Sequence, residues 1–195
     1  MQMPKKKLTE ASAANQFISI KLQEGIDFWA TNYAGLKDAF GEKFRIQDQD
    51  AANFDLFLAK IALNTASLKN LFPPEQADRI RRWILKNIEA QPSEFGDARR
   101  SKLKYYEYWD YRRNEIEEYE KVYNESIKLG ENPINAIASR LLHKWFGGYV
   151  ADFDFEFNGK KTGTIGPLKA LLLTSIVSEG LGWKTIKDNF DLVEG

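Results

Sequence analysis

Apolar residues recur every three or four positions through most of this chain, which is the spacing of one face of an α-helix. The first stripe contains Ile18, Leu22, Ile26, Trp29, Tyr33, Leu36 and Phe40. Gly25 lies within the stripe without breaking its period, so the pattern allows one helix of about thirty residues or two collinear pieces, and we expect the single helix. Thr9 or Ser12 is expected to cap the start of this helix, and Gly41 to end it.

A second and a third helix follow, separated by a pair of prolines. The second stripe contains Phe54, Phe57, Leu58, Ile61, Thr65 and Leu68, and it is widened by Leu56, Ala62 and Leu63. An apolar face this wide predicts a largely buried helix. The prolines at 73–74 open the third helix, whose inner residues are Ala77, Ile80, Ile84 and Ile88. Trp83 lies at the edge of this inner face, and Arg79, Arg82 and Lys86 lie on the outer face.

A long aromatic helix and a shorter helix are expected next. The long helix runs from about residue 97 to residue 129 and stops at Gly130, which suits a left-handed C-cap. Its predicted inner residues are Tyr105, Trp109, Ile116, Tyr119, Tyr123 and Ile127. Asn132 and Pro133 then cap and open the shorter helix. Its inner residues are Ile134, Ile137, Ala138, Leu141 and Trp145, and Gly147 and Gly148 end it.

One segment has the alternating pattern of a β-strand. Phenylalanines alternate with acidic residues over 152–157, and the Asn-Gly pair at 158–159 suits a two-residue hairpin turn. We therefore predict a β-hairpin over about residues 150–165. In its register Glu156 faces Lys161, which makes a favourable cross-strand pair.

The remaining C-terminal residues predict two more helices. Pro167 opens an apolar helix that ends near Gly180, and a short helix is expected from Trp183 to Phe190. The whole chain, 1–195, is expected to be one mostly α domain, a multi-helix bundle with one small β-hairpin near the C-terminus. A short N-terminal segment, about residues 1–8, is expected to be flexible.

Composition removes several kinds of chemistry. The 195 residues include no Cys and one His, so disulfides, thiolate nucleophiles, Cys-ligated metals and two-histidine metal motifs are excluded. The 28 basic and 28 acidic residues cancel, so a charge-driven partner must use a local patch. No apolar stretch reaches the length of a membrane span or of a signal-peptide core, so we expect a soluble, cytoplasmic protein that binds no membrane.

Local patterns that resemble cofactor sites have simpler explanations. His143 lies opposite the inner stripe of its helix, so we expect it to face solvent. Asp152, Asp154 and Glu156 resemble the start of a calcium loop, but Ile165 stands where the loop needs its bidentate Glu. A looser metal site on this strand face stays open as an alternative. The Gly-rich loop before the helix that Pro167 opens lacks the spacing of a P-loop. We therefore predict no cofactor, no metal and no catalytic residue.

The unusual segment is the start of the aromatic helix, where residues 102–113 read KLKYYEYWDYRR. Its aromatic side chains point to all sides of a helix, and six of the eight Tyr of the chain lie between Tyr105 and Tyr123. Either neighbouring elements enclose these rings, or part of the ring of aromatics is exposed as a binding surface. The interface hypothesis uses Tyr106, Tyr108, Tyr111, Arg112 and Arg113.

Three classes of function remain. The scarcity of catalytic side chains favours a non-enzymatic protein-interaction module or assembly subunit, whose partner is another protein or a second copy of this chain. A nucleic-acid-associated helical protein is the alternative, and its phosphate contacts would come from Arg79, Arg82, Lys86, Arg99, Arg100, Lys102 and Lys104. A magnesium-dependent enzyme that uses carboxylates alone is the third, with Glu115 and Glu118 or Glu117 and Glu120 as candidate ligands.

Overall fold

A computed structural model describes residues 5–40, 49–90, 105–146, 156–157, 160–161 and 182–195. It has the mostly α architecture that the sequence predicts. The α-helices are α1 (Glu10–Phe40), α2 (Gln49–Ser67), α3 (Pro74–Ala90), α4 (Tyr105–Lys128), α5 (Pro133–Phe146) and α6 (Trp183–Asn189). The strands are β1 (Lys6–Thr9), β2 (Glu156–Phe157), β3 (Lys160–Lys161) and β4 (Phe190–Val193). A 3₁₀ turn, Leu68–Asn70, follows α2.

Helix α1 is continuous through Gly25, as its apolar period predicts. Thr9 caps it, since the Thr9 hydroxyl oxygen accepts a hydrogen bond from the Ser12 amide at 3.2 Å. The buried face differs in detail from the predicted one. Leu22, Ile26 and Tyr33 are only partly buried. Trp29 is buried as predicted, and Ala13 and Phe17 are buried as well. The buried positions Ala14, Ile18, Lys21, Gly25 and Phe28 alternate steps of four and three residues and so follow a seven-residue repeat.

Helix α2 is the centre of the bundle and confirms the prediction of a largely buried helix. Every residue from 52 to 65 is buried, including the polar residues Asn64 and Thr65. The side-chain amide of Asn64 donates to the Lys60 carbonyl within the helix at 2.9 Å. Buried polar residues of this helix thus bond both within it and to other helices, as Lys60 does by donating to Glu24 of α1 at 2.9 Å.

Helix α4 ends at Gly130, as predicted. Gly130 has a φ of 73°, and the amides of Gly130 and Glu131 donate to the carbonyls of Ile127 and Ser126, at 3.1 and 2.8 Å. This pair of bonds is a Schellman motif, which needs a left-handed residue at the position of Gly130. Helix α5 starts as predicted at Pro133, because the Asn132 side chain accepts a hydrogen bond from the Ile134 amide at 2.9 Å.

The inner face of α4 corrects one prediction. Ile116, Tyr119 and Tyr123 are buried as expected, but Ile127 is 50% exposed and Ser126 is buried in its place. The buried positions after Ile116 follow at steps of three, four and three residues, which is a seven-residue repeat. This repeat places Ser126, and not Ile127, on the buried face. A step of four in the other direction reaches Arg112, which is also buried.

The short β-hairpin forms in the predicted register. Strands β2 and β3 are antiparallel, with Glu156 opposite Lys161 and Phe157 opposite Lys160. The pairing of Phe157 with Lys160 is the register that a two-residue hairpin requires, and the Asn-Gly pair at 158–159 lies outside the described residues. The acidic residues Asp152 and Asp154 and the predicted apolar helix over 167–180 lie outside the described residues.

A second, parallel sheet joins the two ends of the chain, and the sequence pattern did not predict it. Strand β1 pairs with β4, and the register runs from Lys6 opposite Phe190 to Thr9 opposite Val193. Residues 6–8, which the sequence assigned to a flexible segment, are paired in this sheet. Phe190, which the sequence assigned to the last helix, is the first residue of β4. Four-residue strands are too short for a reliable alternation signal.

No helix among the described ranges combines the length and the apolar character that a membrane crossing requires.

Two glycines on α1 provide a test of this packing. A Cβ atom at Gly25 would lie 3.5 Å from the Asn53 carbonyl oxygen on α2, an ordinary van der Waals contact, and one at Gly35 would meet nothing within 4 Å. Alanine in a helix interior is favoured over glycine by about 0.5–1 kcal/mol. We therefore expect Gly25→Ala and Gly35→Ala each to raise the free energy of unfolding by about this amount, measured by urea denaturation. A loss confined to Gly25→Ala would contradict the described approach of α1 to α2.

Candidate functional site

A groove of about 430 Å³ lies between one face of α3 and the residues that follow β4. Arg79, Arg82, Trp83 and Lys86 line it from α3, and Glu194 and Gly195 line it from the other side. The four α3 residues occur at steps of three and four, so they share one helix face. The opposite face is apolar and buried, as the sequence predicts, with Ala77, Ile80, Ile84 and Ile88 in the core. The core therefore determines which side chains α3 presents to the groove.

Arg79 is fixed at one end of the groove by a buried carboxylate. Its Nε and Nη2 donate to the two oxygens of Glu10, at 2.9 and 3.0 Å. Glu10 is fully buried and also accepts a hydrogen bond from Gln76 at 3.2 Å. The hydrogen bond to Glu10 raises the pKa of Arg79. Its guanidinium stays protonated at neutral pH and serves mainly to join α3 to the start of α1.

Arg82 and Lys86 are the exposed cations of the groove. Within the described ranges neither pairs with an acidic side chain, whereas the neighbouring Arg79 and Arg81 both do. The Lys86 ammonium lies 4.7 Å from the centroid of the Trp83 ring, in a cation–π contact. Trp83 is partly buried against the core. One wall of the groove therefore presents the Trp83 indole together with two cations, Arg82 and Lys86.

Arg81 lies on α3 beside the groove and is bound within the bundle. Its Nε and Nη2 donate to the two oxygens of Glu120, at 2.9 and 2.7 Å, and the Thr65 hydroxyl donates to the same carboxylate at 2.6 Å. The hydrogen bond to Glu120 raises the pKa of Arg81. This contact ties α2, α3 and α4 together, so Arg81 is a structural residue.

The interface residues that the sequence places on α4 are not exposed together. Arg112 is buried, donates to the Ile88 carbonyl at 2.8 Å and lies 4.9 Å from the Phe54 ring centroid. Arg112 therefore belongs to the interior of the bundle, because it lies four residues before Ile116 on the buried face of α4. Arg113 is exposed and pairs with Glu117 at 3.0 Å. The side chains of Tyr106, Tyr108 and Tyr111 lie outside the described residues, so the interface hypothesis for them stays a prediction.

The four candidate carboxylates on α4 are each paired with a cation. The partners of Glu115, Glu117, Glu118 and Glu120 are Lys144, Arg113, Arg140 and Arg81. Lys144 also pairs with Asp55 at 2.7 Å, and Asp55 accepts a hydrogen bond from the Trp145 indole at 3.2 Å. The described ranges contain no group of three or more acidic or His side chains placed to hold a metal ion. The Arg113–Glu117 pair lies along α4, the other three join α4 to a neighbouring helix, and the enzyme hypothesis gains no site from them.

The other predicted positions contribute little to a site. His143 faces solvent as expected, in the last turn of α5. Arg99, Arg100, Lys102 and Lys104 lie outside the described residues. Sequence reasoning selected Arg79, Arg82 and Lys86 but missed Glu194 and the role of Trp83. The signal for Trp83 was its place beside two cations at the edge of an apolar stripe.

Comparison of the chain with protein-family models, with curated proteins and with solved structures finds no match.

The contrast between the Arg81–Glu120 and Arg113–Glu117 pairs can be measured. Glu120 is 14% exposed and accepts three hydrogen bonds, whereas Arg113 is 55% exposed. We expect Glu120→Ala to lower the free energy of unfolding by about 2 kcal/mol, because Arg81 and Thr65 lose a charged partner. Arg113→Ala should cost less than about 0.5 kcal/mol, as exposed helix pairs do. Equal costs in urea denaturation would refute this assignment of roles.

Proposed function

We propose that this protein is a non-catalytic binding module that holds a segment of a protein partner in the groove on α3. The observation that carries the proposal is the exposed pair of cations, Arg82 and Lys86, on the same groove wall as Trp83, with the Lys86 ammonium 4.7 Å from the centroid of the Trp83 ring. Tryptophan and arginine are the side chains that most often dominate the binding energy of protein interfaces. The rest of the charged network supports the same conclusion, because its carboxylates are committed to ion pairs between and along helices.

The size and charge of the groove favour a peptide segment over a nucleic acid. A volume of about 430 Å³ lies within the range of small-ligand sites and suits a few side chains. Arg79, one of the three α3 cations of the nucleic-acid alternative, is matched by Glu10. That leaves two exposed cations on α3, Arg82 and Lys86, for the row of phosphates along a nucleic-acid backbone. Two cations beside one indole still suit stacking of a single base, so the test includes an oligonucleotide.

The proposal is tested with a defined peptide library. Twelve-residue random peptides displayed on phage are selected on the immobilised protein, and enriched peptides are measured by fluorescence anisotropy. We expect Arg82→Ala/Lys86→Ala to weaken their binding about tenfold or more, since each cation contacts the bound segment. Trp83→Ala should have a similar effect. The matched control is Lys121→Ala/Lys128→Ala, which removes two exposed cations from α4.

Circular dichroism checks that each variant keeps its helix content, and the double variant covers the case in which Trp83→Ala unfolds. Failure to enrich any peptide, or binding that is the same in Arg82→Ala/Lys86→Ala and in the α4 control, would refute the proposal. Tighter binding of an oligodeoxythymidylate of twelve nucleotides than of any selected peptide would assign the groove to the nucleic-acid alternative.

A further inference from the structure

We infer that the segment bound in the groove on α3 is extended and acidic, with carboxylates at alternate positions that pair with Arg82 and Lys86. This inference rests on the proposed function and specifies the chemistry of the partner.

The charges around the groove leave a local excess of positive charge. Arg79 is matched by the buried carboxylate of Glu10, and Arg81 by Glu120. Arg82 and Lys86 have no acidic partner within the described ranges, and both are exposed. An acidic segment would supply the two missing partners, whereas a basic segment would place like charges against them. Charge complementarity therefore selects an acidic occupant.

The spacing of the two cations selects the register of that occupant. Arg82 and Lys86 are four residues apart on a helix, so they lie about 6 Å apart along its axis. In an extended chain, residues i and i+2 point to the same side and lie about 6.7 Å apart. Residues i and i+1 point to opposite sides. An extended segment with acidic residues at i and i+2 thus reaches both cations at once.

The chain itself already places one carboxylate, that of Glu194, near a cation of α3. Glu194 directly follows strand β4 and lies on the wall of the groove. Its carboxylate oxygen is 4.0 Å from Nε of Arg79, although the side chain is 79% exposed. An acidic residue next to an extended segment therefore already approaches a cation of α3. The two further cations on the same helix face, Arg82 and Lys86, are placed to receive a second extended segment beside it.

The test compares three peptides of identical composition, two Glu, five Ser and two Gly, in which the acids are spaced differently. Their central sequences are Glu-Ser-Glu, Glu-Glu-Ser and Glu-Ser-Ser-Ser-Glu. The readout is the indole N–H resonance of Trp83 in the isotope-labelled protein, assigned with Trp83→Phe. We expect the Glu-Ser-Glu peptide to bind about threefold more tightly than the Glu-Glu-Ser peptide, the factor for one exposed ion pair.

Charge variants complete the test. Arg82→Glu/Lys86→Glu should weaken binding of the Glu-Ser-Glu peptide about tenfold, and the neutral Arg82→Gln/Lys86→Gln should weaken it less. The matched control, Lys121→Glu/Lys128→Glu, makes the same change in net charge on α4 and should leave the affinity unchanged. A Lys-Ser-Lys peptide should not shift the Trp83 resonance.

Four outcomes would overturn the inference. They are equal binding of the Glu-Ser-Glu and Glu-Glu-Ser peptides, tighter binding of the helical spacing Glu-Ser-Ser-Ser-Glu, equal binding of the basic peptide, and the absence of any shift at Trp83. If library peptides bind through the groove while these spacings make no difference, the proposed binding function stands and the alternating acidic motif is refuted. Tighter binding of oligodeoxythymidylate than of the Glu-Ser-Glu peptide and of every selected library peptide refutes both.

Discussion

The carboxylate of Glu10, fully buried at the start of α1, is the contact on which this arrangement depends. A buried carboxylate is tolerated only where charged donors replace water, and Arg79 supplies two parallel hydrogen bonds while Gln76 supplies a third. Because Glu10 directly follows β1, this contact fixes the terminal sheet against α3. It also fixes Arg79 on the helix face that forms the groove. The packing of the chain ends and the shape of the candidate site therefore have one common cause.

Charged residues do much of the joining of helices in this bundle. Glu120 connects α4 to α3 and α2, Lys144 connects α5 to α2 and α4, and Glu24 on α1 accepts hydrogen bonds from the buried Lys60 of α2 and Lys21 of α1. Each of these ion pairs between two helices forms only when the helix faces that carry its two side chains meet. Together they help to determine which helix faces pack against each other. Net charge is zero, yet Arg82 and Lys86 remain outside these pairs within the described ranges. In a protein whose net charge is zero, a local excess of positive charge says more about what the protein binds than the net charge does.

The terminal sheet and the buried cations mark where sequence reasoning reached its limit. Strands β1 and β4 are four residues long, and each gains its partner from the other end of the chain. Neither strand has a pattern that identifies it alone, because a parallel pair of this length is stabilised by its surroundings. Lys21 and Arg112 lie at buried seam positions of α1 and α4. A search for apolar residues passes over them, although a strict seven-residue repeat would have reached both.

The sequence by itself determined the helices of the described ranges, several of their ends and the register of the hairpin, because these depend on neighbours within a few residues. The cap at Asn132, the left-handed turn at Gly130 and the pair of Glu156 with Lys161 are interactions of this local kind. It also identified Arg79, Arg82 and Lys86 as one helix face. Only the tertiary structure decided that Arg79 is committed to Glu10 while the other two stay exposed around Trp83. The partner of a charged side chain is set by packing between distant segments, and no local pattern encodes it.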